Sequence, residues 1–129
     1  MPPLQKFLIV DDNPDSRFVF VRTIMKQFPD AVLQECEDAE PALTSGREPG
    51  LSAVVVHRTT EMTGVYFVQS LRQLNSRVPI VMVSGIDRSH AAVAAGANRF
   101  LLFDNWKKLG PIISELLQPP LTATPTTPV

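Results

Sequence analysis

The chain has 129 residues, 44% of them hydrophobic and 19% charged, enough for one domain with a real core and too apolar for a disordered chain. A formal net charge of −1 gives no electrostatic case for nucleic acid or a membrane surface as partner. No run approaches the roughly 20 apolar residues of a membrane span, and the stretch after Lys6 is too short for a signal-peptide core, so a cytoplasmic protein is expected. The one cysteine, Cys36, has no disulfide or zinc-knuckle partner, which fits a reducing compartment.

Five short β-rich runs alternate with helix-compatible stretches, which predicts a doubly wound α/β sandwich with a parallel sheet and helices on both faces. The strands are expected at 6–10, 31–36, 52–57, 79–84 and 99–103. The first run, Phe7-Leu8-Ile9-Val10, is apolar without alternation, as a strand buried on both faces should be, and ends in Asp11 and Asp12. A helix follows, with Asn13 as its cap, Pro14 in its first turn and Asp15 near the positive end of the dipole, and Pro29 stops it after about Phe28. Phe18, Val21, Met25 and Phe28 give it a predicted core stripe, while Val19 and Phe20 widen the apolar surface and mark a candidate contact face. The more mixed run 31–36 suits a sheet edge.

A second helix is expected over 39–46, ending at Gly46. The third strand, Ala53-Val54-Val55-Val56, ends at His57. In a parallel sheet it finishes at the same edge as the first strand, where open α/β folds build their sites. A third helix over about 65–75 is predicted to turn Phe67, Leu71 and Leu74 inward, and a short alanine-rich fourth runs from Asp87 to Ala95. The last helix has a stripe of Leu109, Ile112, Ile113, Leu116 and Leu117, with a kink or a late start expected at Gly110-Pro111. Residues 119–129 are rich in proline and threonine and read as an extended tail or linker after a domain spanning 5–118.

In order and spacing, these segments resemble the receiver domain of bacterial two-component response regulators. Val10-Asp11-Asp12-Asn13-Pro14 with Arg17 is similar to the acid-pair segment that opens such domains, and Gly64 to Arg72 to their third helix. Val78 to Gly85 resembles the fourth strand with its terminal hydroxyl residue, and Gly96-Ala97-Asn98-Arg99-Phe100-Leu101 the approach to the fifth. The resemblance implies a flavodoxin-like (βα)5 sandwich. It also implies a site in which a kinase phosphoryl group passes to an aspartate ending the third strand, with magnesium on the acid pair. By position, Asp11 and Asp12 match the acid pair, Ser84 the hydroxyl and Phe100 the aromatic switch residue. His57 stands where the phosphoacceptor aspartate belongs, and Phe103 where a lysine belongs. The His57–Gly64 loop lacks the family's proline and is one residue short, and the stretch from Ser84 to Gly96 is about three residues shorter than usual.

Phosphoryl transfer needs a nucleophilic oxygen, a divalent cation and a positive group to hold the product, and the first and third are replaced. Exchange of a carboxylate for imidazole also weakens magnesium binding, leaving at most a loose ion on Asp11 and Asp12. Three readings of His57 are open: a neutral imidazole hydrogen-bonded locally, an imidazolium paired with Asp11 or Asp12 in place of the cation, or a transition-metal ligand with those two acids. Thr59 and Thr60 are hydroxyls beside the pocket. Phe100 and Phe103 are expected on opposite faces of the sheet, and Phe103 with Trp106 forms a candidate partner-binding patch unless Trp106 packs the last helix. The expectation is an atypical receiver domain, not an enzyme, that acts without phosphorylation as a protein interaction module, its partner a histidine kinase or an output domain. The alternatives are a response regulator phosphorylated on an unorthodox acceptor such as His57 or a nearby threonine, and a small metal-responsive sensor.

Overall fold

The computed structural model describes residues 4–118, so the Pro/Thr-rich segment 119–129 lies outside the described residues. Five parallel strands, β1 (Lys6–Asp11), β2 (Val32–Cys36), β3 (Ala53–Arg58), β4 (Ile80–Ser84) and β5 (Arg99–Leu102), form one sheet in the order β2-β1-β3-β4-β5. The uninterrupted apolar runs of β1, β3 and β4 lie in the three central strands, and the mixed β2 is an edge, as their compositions require. The helices are α1 (Pro14–Gln27), α2 (Ala39–Gly46), α3 (Gly64–Leu74), α4 (Ser89–Ala95) and α5 (Leu109–Leu117), with a 3-10 helix over Phe103–Lys108 ahead of the last. None of the described helices is long and apolar enough to cross a membrane.

The sheet separates two apolar layers. Phe7, Ile9, Val55, Val81 and Val83 face α1 and α5, whereas Leu8, Val10, Val54, Val56 and Met82 face α2, α3 and α4. This is the period-two alternation of strand side chains, with apolar residues on both sides because both sides are covered.

Helix boundaries follow local chemistry. The Asn13 side chain accepts from the amides of Asp15 at 2.8 Å and Ser16 at 3.2 Å, and Pro14, which has no N–H to satisfy, opens α1. Thr63 caps α3 through the Tyr66 amide at 3.2 Å. Asp38 makes no side-chain cap for α2; instead Glu61, from the loop after β3, accepts from the Ala39 amide at 2.9 Å. That bond holds the Glu61 carboxyl below its usual range. Gly96 ends α4 at φ 116°, a left-handed conformation that favours glycine. Beside it Arg72 donates to the carbonyls of Gly96, Asn75 and Val78 and to Asn98 Oδ1, tying the end of α3 to the starts of β4 and β5.

Three sequence expectations are corrected. In α1, Phe18 and Met25 point to solvent and the buried stripe is Ser16, Phe20, Thr23 and Ile24, so Phe20 belongs to the core and not to a contact face. Leu74, in the last turn of α3, is exposed while Phe67 and Leu71 are buried. The last helix neither kinks nor waits for Pro111: it starts at Leu109, and Pro111 lies in its first turn, where a missing N–H costs nothing. Most strand boundaries shift by one residue, β5 ending before Phe103, and α4 starts two residues late, at Ser89.

Gly110 lies where α5 packs tightly on α1. Its amide donates to Thr23 Oγ1 at 3.2 Å, and a Cβ there would lie 2.5 Å from the Thr23 carbonyl oxygen. Gly110→Ala is therefore expected to push the two helices apart and cost about 1–3 kcal/mol, as overpacking does. Urea denaturation checks this, and an unchanged midpoint would show that the contact has room for a methyl group.

Candidate functional site

The C-terminal ends of β1 and β3 meet through an irregularity. Val10 pairs with Val56 but Asp11 pairs with Arg58, so the register shifts at His57. The Asp12 amide donates to the Arg58 carbonyl at 3.0 Å, which closes the strand pair beyond the bulge. A bulge at a strand end re-aims the extra side chain. The imidazole of His57 lies against Asp11, with Nδ1 3.2 Å from Asp11 Oδ2.

Asp11 is fully buried, and donors surround its carboxylate. Oδ1 accepts from the Asn13 amide at 3.0 Å, and Oδ2 accepts from Ser16 Oγ and from His57 Nδ1. Ser16 Oγ is also 3.5 Å from His57 Nδ1. With a carboxylate as acceptor, Nδ1 carries a proton in either charge state of the ring. Arg17 secures the same corner from outside, donating to the Asp11 carbonyl at 2.8 Å and pairing with Glu35 at 2.9 Å.

Phe103 occupies the other side of His57. The two rings are stacked, 5.9 Å between centroids and 16° between planes. Phe20 of α1 stands edge-on to both, 5.9 Å from His57 and 5.8 Å from Phe103. The imidazole thus has one edge on a carboxylate and the rest of its ring beside two phenyl rings. Phe103, one residue past β5, turns into the α1/α5 layer, while Phe100 packs into the opposite layer, as their three-residue spacing requires. Phe103 is therefore part of this cluster and not of a surface patch with Trp106, which packs against the α1/α5 layer with part of its ring exposed.

The acid pair is divided. While Asp11 is enclosed, Asp12 turns outward to Arg58 Nε at 3.2 Å, on the exposed rim. Magnesium needs several converging oxygens, but every hydrogen-bonded approach to the Asp11 carboxylate is held by an N–H or O–H, and a guanidinium holds Asp12. The residues present do not fit the ion. Nor do Asp11, Asp12 and His57 make a transition-metal site: among the described residues no group of three or more His, Cys, Asp or Glu could hold a metal.

Ser84, at the end of β4, accepts from the Ile86 amide at 3.3 Å and shapes the loop into α4. With His57, Arg58, Thr63 and Arg88 it lines a cleft of about 460 Å3 between the ends of β3 and β4, next to the cluster. Thr59 is buried, not a solvated loop hydroxyl, and is used within its own turn, its Oγ1 accepting from the Met62 amide at 3.2 Å; Thr60 is exposed. Cys36 ends β2 outside the site, where partial burial pushes its thiol pKa up. Sequence reasoning missed two members of the site, Ser16 and Phe20. Their spacing of four places both on one face of α1, with Ser16 reaching Asp11 and Phe20 reaching His57.

No family model matches the chain, and no curated protein matches it. Solved structures do. A two-component response regulator of the LuxR family from Aurantimonas sp. superposes with a TM-score of 0.78 at 24% identity, covering 89% of this chain and 86% of that one. The chemotaxis protein CheY4 of Vibrio cholerae gives 0.76 at 21% identity over 89% of this chain and 100% of its own. A mutant receiver domain of the histidine kinase CKI1 from Arabidopsis thaliana gives 0.69 at 25% identity over 87% and 89%. The chain has the flavodoxin-like fold of CheY-type receivers.

Removing the His57 ring would take one donor from a buried carboxylate and open a gap between Phe20 and Phe103. His57→Ala is expected to destabilise the fold by about 1–3 kcal/mol from the lost hydrogen bond and aromatic contacts. Chemical denaturation measures it, and wild-type stability in the variant would show that the ring is not part of the packing.

Proposed function

We propose that this chain is a receiver-type domain of two-component-type signalling that acts without phosphorylation, as a cytoplasmic protein interaction or regulatory module and not as an enzyme. The observation that carries the reading is the packing of His57. At the position where the resemblance puts a nucleophilic aspartate stands an imidazole that bonds Asp11 on one edge and stacks on Phe103. A receiver in its phosphorylated form needs room there for a phosphoryl group, its metal and a cation. Here an N–H donor stands against Asp11, and a phenyl ring lies against the imidazole where the resemblance puts a cation. The cluster holds the α1, β3 and β5 ends together by its own contacts, which supports one standing conformation that a partner such as a histidine kinase or an output domain would read.

Function lives in sites grafted onto folds, so the receiver architecture alone does not supply the reaction. Phosphorylation on Thr59 finds little support, because that hydroxyl is buried and enclosed in its own turn.

The test is an amide NMR titration with magnesium and beryllofluoride, an imitator of acyl phosphate on receiver aspartates. The wild-type spectrum is expected to stay unchanged. The double variant combining His57→Asp with Phe103→Lys, which restores an acid and a cation, is expected to show saturable shifts at Asp11, Ser84 and Phe100. Saturable shifts in the wild-type protein would overturn the proposal.

A further inference from the structure

The two helical faces carry grooves of opposite charge, each with apolar ground. On the α1/α5 side, Val21, Arg22, Met25, Lys26, Trp106 and Lys107 line a groove of about 650 Å3 into which no acid projects. Next to it Phe18 is 59% exposed, and the Arg22 guanidinium lies 5.6 Å from its ring centroid. Lys107 stands in the same way over Trp106, at 5.7 Å. On the far side of the sheet, a groove of about 990 Å3 runs between α2 and α3 over Leu43, Met62 and the exposed Leu74. Its rim has three acids, Asp38, Glu40 and Glu61, against one base, Arg47. Among the described residues, Arg22, Lys26, Lys107, Asp38 and Glu40 take part in no ion pair.

We propose that these grooves are the two halves of a head-to-tail contact between copies of this chain, the surface of α1 and Trp106 in one copy seated on the α2–α3 groove of the next. The match is in both charge and chemistry. Three unpaired cations meet three acids, and Phe18, Met25 and Trp106 supply the aromatic and flexible anchors that protein interfaces favour, opposite an aliphatic floor. A net charge of −1 puts no strong repulsion between copies. Because the two surfaces lie on opposite faces of the sheet, the contact is heterologous: each added copy presents a fresh groove, and the assembly grows unless it closes into a ring. Steering by exposed charges makes the association sensitive to salt.

Sedimentation velocity of the full chain over rising concentration, at low and high salt, tests this with two variants changed only at exposed positions. The first, Arg22→Ser with Lys26→Ser, neutralises the basic face; the second, Glu40→Lys with Leu74→Ser, spoils the acidic groove; circular dichroism verifies their folds. The wild-type sedimentation coefficient is expected to rise with concentration and fall back toward the monomer in high salt. Each variant alone is expected to stay monomeric, and their equal mixture to form a dimer that grows no further, since the intact face of each is then occupied. A wild-type chain that stays monomeric throughout would overturn the proposal and leave the grooves to other partners. Undiminished association of either variant, or a mixture that fails to pair, would overturn it equally.

Discussion

A carboxylate with no solvent exposure has to be satisfied where it stands, and in this fold that carboxylate is Asp11. Desolvating an ionised acid costs several kcal/mol unless hydrogen bonds and opposite charge make up the loss. Asp11 closes β1, so its partners must come from whatever converges on that strand end. They come from three directions: the Asn13 amide of the turn into α1, the Ser16 hydroxyl of the first turn of α1, and the His57 ring from the bulge in β3. The turn into α1, the first turn of that helix and the irregular end of β3 all contribute to meeting this one requirement.

The imidazole is suited to this place because it has two different edges. One donates to a carboxylate, and the rest of the ring is flat enough to stack and sufficiently apolar to lie beside Phe20 and Phe103. A lysine at 103 would have brought a strongly hydrated charge into the same space. Phenylalanine instead joins the α1/α5 layer and shields the Asp11–His57 contact from water, which strengthens it electrostatically. His57 and Phe103 therefore form one packed arrangement over the Asp11 carboxylate.

Much of the architecture was legible in the sequence because β1, β3 and β4 are continuous apolar runs, and only strands covered on both sides tolerate that. Asn13-Pro14 sets the start of α1 for local reasons and was equally readable. The inward face of α1 was not. Apolar residues surround that helix, and the stripe that faces the sheet includes Ser16, bonded to Asp11 at the end of the preceding strand, and Thr23, whose partners Lys107 and Gly110 lie far along the chain. A hydroxyl that is polar in sequence and satisfied only in tertiary structure disguises a core position. Leu74 misleads in the opposite way: its period points inward, but α3 ends there and Arg72 takes the neighbouring contacts. For the site, the resemblance placed His57 and Phe103 by position, and only the folded chain puts one ring on the other.

The stacked pair also couples what positions 57 and 103 can carry. Consider His57→Asp with Phe103 in place. It would set a second carboxylate beside the buried Asp11, with a phenyl ring where a cation is needed, and like charges at that distance in a dry corner repel strongly. Phe103→Lys with His57 in place would direct an ammonium at a ring whose facing nitrogen already donates to Asp11. Either single change leaves the other residue against a partner it does not match. The stacked rings therefore couple the two positions, so a change at either alters what the other has to satisfy.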